Sequence, residues 1–268
     1  MLGPESSVLF RQHLISRFPH PFCWLFQDML SIGSISYYMN SDDGWMTRLF
    51  VHNYFALLGD GPCPADWEVI FYDRDGRKVT SKKGKFVGNA ETVVLELKDI
   101  PGLDIYGIAH LHIRPRVSGF ICKAQYGTTF YSEYYVPGTK KSVIAHSLNG
   151  SPKATHAPYG LISTSWIVPP QFVPYLFIAG GCNFHSFHHS PCARGTIYVT
   201  NDSGEKKSFA LEPFGPRECK KINLFSVYPE FKDHIKDRPF MIEIDGANLM
   251  PRPFLFLTDG NRVLAEHL

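Results

Sequence analysis

The sequence predicts a mainly β protein: two tandem antiparallel β-sandwich units related by internal duplication, preceded by a short N-terminal helix. Three observations carry that expectation. From Ser31 onward, short runs of β-branched and aromatic residues alternate with turn residues, and little of the chain has helical period. Aromatic residues make up 14% of the chain and prolines number 20, a balance that favours strands broken by tight loops. The order of elements in the first half also returns after residue 163.

In chain order, residues 1–30 read as an extension with one helix at 6–18. Val8, Leu9, Phe10, Leu14, Ile15 and Phe18 leave an apolar stripe, Ser6 or Ser7 can cap it, and Pro19 and Pro21 end it. Such a helix suits the cover of a sheet edge or face. Then come SISYYM, TRLFVHNYF, WEVIFYD, ETVVLEL, YGIAHLHI and GFICKAQY, six runs with strand composition. NSDDG, DGPCP, DRDG, VGNA and IPGLD separate them. Asp75-Gly76 is a hairpin turn by composition, because glycine takes positive φ at no steric cost.

The second half follows the same order. TSWIVPP matches SISYYMN, YLFIAGGCNF matches RLFVHNYF, and PCARGTIYVTNDSGEK matches PCPADWEVIFYDRDGRK, with Ser203-Gly204 at the Asp75-Gly76 turn. CKKINLFSVYPEF and RPFMIEIDGANLMPRPFLFL then match ETVVLELKDIPGL and IYGIAHLHIRPRVSGFIC. Five matches in one order at nearly constant offset indicate tandem duplication. The units fall at 31–136 and 161–268, joined by a Gly-, Pro-, Ser- and Lys-rich linker at 137–160. Each unit has the size of an ordinary β-sandwich, about 100 residues. A continuous double sandwich is the alternative, if the YYV and SVIAH segments cross between the units.

At 268 residues, 44% hydrophobic and 19% charged, the chain has the composition of a packed globular protein. A net charge of +2 provides no strong field for nucleic acid or an anionic membrane. No apolar run reaches the roughly 18 residues of a membrane-spanning helix. Arg11, His13, Arg17, His20 and two prolines interrupt the N-terminal apolar stretch, against the pattern of a signal peptide. Six cysteines are not a dense disulfide framework, so the expectation is free thiols in a cytoplasmic setting.

Four groups of residues carry candidate chemistry. CNFHSFHHSPC, from Cys182 to Cys192, places His185, His188 and His189 in one loop, and imidazoles are ligands for a divalent metal such as zinc. The spacing matches no zinc finger, and a polar loop is the plainer reading. His110 and His112 sit two apart in a strand and share a face. They add to the metal set if the two groups converge, although two exposed sheet histidines is the plainer expectation there. Tyr126, Tyr131, Tyr134 and Tyr135, with Glu133 among them, form an aromatic run suited to core packing, a sugar ring or a protein interface. Arg114 and Arg116 follow the histidine pair as candidate carboxylate or phosphate partners.

The chain holds no Gly-rich phosphate loop, G-x-S-x-G elbow, H-E-x-x-H or dinucleotide fingerprint. The expectation is therefore a non-catalytic tandem sandwich, a homo-oligomer that binds a carbohydrate, another small polar ligand or a protein partner. A metal-dependent enzyme or metal-binding protein using the histidines is the alternative. A structural or assembly subunit is the third reading.

Overall fold

Period-two burial organises the chain. In WEVIFYD, Trp67, Val69 and Phe71 are buried while Glu68 and Ile70 are half-buried, as a strand with one fully covered face requires. The computed structural model describes residues 32–53, 56, 62–116, 130–146, 164–181, 192–228, 230–247, 249, 253–260 and 262–267. Among these residues 61% are strand and 7% helix, and the fold is mainly β and sandwich-like, with antiparallel sheets.

The first half contains β1 (Ile32–Asp42), β2 (Trp45–His52), β3 (Ala65–Asp73), β4 (Lys78–Phe86), β5 (Thr92–Glu96), β6 (Tyr106–Pro115), β7 (Phe130–Tyr135) and β8 (Ser142–His146). The second contains β9 (Thr164–Val168), β10 (Val173–Ala179), β11 (Arg194–Thr200), β12 (Lys206–Ala210) and β13 (Cys219–Asn223). Two short helices follow, α1 (Leu224–Val227) and α2 (Phe231–Ile235), and then β14 (Phe240–Ala247), β15 (Phe254–Thr258) and β16 (Val263–His267). Asn223 caps α1 by accepting from the Phe225 and Ser226 amides.

The strands pair in four groups. Sheet I is β4-β3-β6-β1 and sheet II is β5-β2-β7-β8; the β1–β2 pairing joins them into one eight-stranded sheet. Sheet III is β12-β11-β14-β9 and sheet IV is β13-β10-β15-β16. Strand by strand, III has the order of I, and IV the order of II. The hairpin turns also correspond. Gly76 donates to the Asp73 carbonyl and Gly204 to the Asn201 carbonyl, each at 3.0 Å. Both glycines have positive φ, +77° and +81°.

Three apolar cores follow from these faces. Tyr38, Leu49, Val51, Val69, Phe71 and Leu111 fill the space between I and II. Trp166, Leu176, Ile178, Ile197, Ile242 and Leu255 fill the space between III and IV. The third core lies between the halves. Ile35, Tyr37, Met39 and Ile108 of sheet I, with Trp45 and Tyr134 of sheet II, meet Phe177, Phe254 and Phe256 of sheet IV. The Tyr37 ring lies 5.8 Å from Phe177 and 6.1 Å from Phe254, and Tyr134 stacks on Phe254 at 5.1 Å. Lys221 ties the halves beside this seam, bonding the Asp42 carboxylate and, at 2.7 Å, that of Asp43.

Residues 142–146, inside the stretch expected as a linker, form β8 and pair with β7 in register from Tyr131–His146 to Tyr135–Ser142. The turn residues at 137–141 had concealed a short strand whose Ala145 is buried against the third core. The helix expected at 6–18 and the strand expected at 119–126 lie outside the described residues.

Candidate functional site

Sheet II presents one face to the core and the other outward, and the outer face gathers three of the singled-out residues. Side chains opposite one another in an antiparallel pair share a face. Glu96, Arg48, Glu133 and Ile144 therefore form one row across β5, β2, β7 and β8. Val94, Phe50, Tyr131 and His146 form the next row. Tyr135 lies on the same face, one row beyond Glu133.

The first row is a closed polar network. Arg48 bonds Glu96 through Nε and donates from Nη1 to Glu133 at 2.9 Å. The Tyr135 hydroxyl donates to Glu96 at 3.0 Å, and its ring lies under the Arg48 guanidinium at 4.9 Å. The Glu96 bond holds Arg48 above its ordinary pKa, and partial burial pushes Tyr135 up, with Glu96 adding to it. The second row is apolar from Val94 to Tyr131 and partly open, with Phe50 half-buried between them. Val94 is 48% exposed, Tyr131 38% and, one row over, Ile144 61%. His52, bonded to Thr92 at 2.8 Å, packs edge-on to Tyr131 at 5.3 Å, and its partial burial lowers its pKa.

Other expected ligand residues are elsewhere. Tyr134 is fully buried on the opposite face of β7, where its hydroxyl donates to the Tyr37 carbonyl at 2.7 Å. It packs in the third core, because strand alternation turns it away from its neighbours Glu133 and Tyr135. Arg116 is exposed and forms a fork on the Asp66 carboxylate, with Nε donating at 2.7 Å and Nη2 at 2.5 Å. That places it on sheet I, away from the Tyr131 row. Arg114 pairs in register with Asp66 on the same sheet. Tyr126 lies outside the described residues.

The histidines divide in the same way. His110 and His112 share a face of β6, with His112 Nε2 3.1 Å from His110 Nδ1 and ring centroids 4.0 Å apart. His110 is fully buried, which corrects the expectation of two exposed sheet histidines. Its neighbours across the sheet are Ile35 and Ile70, so its row continues the apolar seam. His185, His188 and His189 lie outside the described residues, so their convergence with the β6 pair does too. Among the described residues, no three His, Cys, Asp or Glu side chains form a group that could hold a metal ion. No helix among them is long and apolar enough to cross a membrane.

Sequence reasoning missed Arg48, Phe50, Val94, Glu96 and Ile144. Alternation in TRLFVH already placed Arg48, Phe50 and His52 together; only strand pairing set them beside Glu133 and Tyr131.

No protein-family model matches the chain, and no curated protein matches it. Among solved structures, it is similar to a β-glucuronidase from glycoside hydrolase family 2 at 7% identity and a TM-score of 0.19. The match covers 88% of this chain and 23% of that one. A likeness at that score carries no argument.

Proposed function

We propose that the chain is a non-catalytic, internally duplicated β-sandwich protein that binds a protein partner through the outer face of sheet II. The observation that carries this reading is the open row Val94–Phe50–Tyr131 with Ile144 beside it. A sheet face with several large apolar side chains in water is a docking surface in waiting. The adjoining network of Arg48, Glu96, Glu133 and Tyr135 is satisfied within itself, so it can border an apolar contact without stranding a charge. The common strand order of the two halves, and the identical turns at Gly76 and Gly204, support the duplication.

A carbohydrate is the second reading, favoured by the exposed Tyr131 ring beside Glu133 and His146, since a flat ring rimmed by polar groups suits a sugar. One experiment addresses both. Wild-type protein and Tyr131→Arg are compared for retention on a glycan array and on cross-linked cell extract. Retention lost in the variant supports a binding face on sheet II, and the surface that retains the wild type selects between the readings. Equal behaviour of the two proteins on both surfaces overturns it.

A further inference from the structure

The seam between the halves shows how a face of this kind is covered. Tyr37 on the outer face of sheet I stands against Phe177 and Phe254 on the outer face of sheet IV. Register identifies the matching positions in the other two sheets. Phe177 pairs with Lys221 on β13 and Phe254 on β15; Phe50 pairs with Val94 on β5 and Tyr131 on β7. The flanking runs YLFI and RLFV agree, as do the strand ends Thr258–Val263 and Tyr135–Ser142. Thus Phe50 and Tyr131 of sheet II occupy the places of Phe177 and Phe254 in sheet IV.

The same holds on the other side. Tyr37 pairs with Ile108, which pairs with Tyr72 next to the Asp73 turn. Ile167 pairs with Met241, which pairs with Thr200 next to the Asn201 turn. Ile167 therefore occupies the place of Tyr37. It is 77% exposed, whereas Tyr37 is 1% exposed.

Among the described residues, the outer face of I meets the outer face of IV, with Trp45 and Tyr134 of sheet II joining the contact, while the outer faces of III and II, their counterparts, stay open on different halves. We propose that a second copy of this chain repeats the contact, laying sheet III of one copy on sheet II of the next, with Ile167 seated against Phe50 and Tyr131. This rests on the reading of sheet II as a docking face and names its occupant. The contact is heterologous: the two surfaces differ, each copy keeps one of each, and association continues head to tail. Tyr198 and Met241, half-buried on sheet III, border Ile167 as Ile70 and Ile108 border Tyr37. Glu243, bound by Lys206 at 2.6 Å, stands where His110 stands in sheet I and marks the polar rim.

Sedimentation of the full chain over a wide concentration range tests this. Wild-type mass rises with concentration beyond the dimer. Tyr131→Arg and Ile167→Arg each remain monomeric, and mixing them in equal amounts restores a dimer and nothing larger, because each variant keeps the face the other lacks. Near-ultraviolet circular dichroism confirms folding, and Ile144→Arg serves as a second variant on sheet II. Wild-type protein that stays monomeric overturns the proposal, as does Ile167→Arg assembling like wild type, which would mark a symmetric contact through sheet II alone. If the wild type is monomeric but Tyr131-dependent retention on glycan or extract persists, the self-docking fails and the docking-face reading survives. If both are lost, both fail.

Discussion

Sheets II and IV are the same four-strand arrangement in two settings. In sheet IV the outward positions are Tyr175, Phe177, Phe254 and Phe256, and they form one wall of the seam between the halves. In sheet II the matching positions are Arg48, Phe50, Tyr131 and Glu133, and they face outward as an ion-paired row beside an apolar one. The difference teaches that the fold tolerates either chemistry on this face. Where a sheet covers it, aromatic rings fill the space. Where no second sheet among the described residues covers it, two of the four positions carry charge and the remaining two stay aromatic. Those two, Phe50 and Tyr131, are what a merely solvated face would not need.

The largest effect is expected in the seam. Phe254→Ala removes a fully buried ring that touches Tyr37, Tyr134 and Phe177, and should cost about 3–5 kcal/mol in urea unfolding. Tyr131→Ala, at the matching place in sheet II, should stay within about 0.5 kcal/mol of wild type in the same measurement. Similar losses in the two variants would mean the faces are not differently covered.

Next comes the polar tie of the seam. Lys221→Met leaves Asp42 nearly buried without its cation and should cost about 3 kcal/mol. Burial opposes the charge on Lys221, but its bonds to Asp42 and Asp43 outweigh it and hold its pKa above the ordinary lysine value of 10.5. A lysine pKa raised on folding contributes stability that is full below 10.5 and is lost as pH rises through the folded value. The gap in unfolding free energy between wild type and Lys221→Met should therefore narrow on going from pH 9 to above pH 11. A gap unchanged by pH would assign the loss to packing alone.

The smallest effect separates the two hairpin turns. Both glycines have positive φ, so alanine should cost about 1 kcal/mol at either position from backbone strain. At Gly204 a new Cβ meets nothing within 4 Å, whereas at Gly76 it would lie 2.7 Å from the Pro216 carbonyl oxygen of the other half. Thermal unfolding should show Gly76→Ala clearly less stable than Gly204→Ala. Equal melting temperatures would mean the first turn is not packed against residues 216–218.

Much of the fold was legible in the residues because it depends on local chemistry. Alternation in WEVIFYD assigns a strand and its fully covered face, YGIAHLHI reads as a strand, and Asp75-Gly76 marks a hairpin. The candidate site was legible only in part. Tyr131, Glu133 and Tyr135 were picked out and do share a face, but Tyr134 was grouped with them because clustering in sequence ignores the alternation that turns it inward. Arg48 and Glu96 are 48 positions apart, and only the β2–β5 pairing makes them neighbours.

RLFV and YLFI state the division most sharply. Each run alone determines an alternating strand with Leu49 or Leu176 facing its own core, because period two is a property of the backbone. Whether the intervening phenylalanine is sealed, as Phe177 is, or left half-open, as Phe50 is, depends on which sheet the rest of the chain lays over it. Only the tertiary structure decided that, since the cover over Phe177 includes Tyr37, 140 positions away.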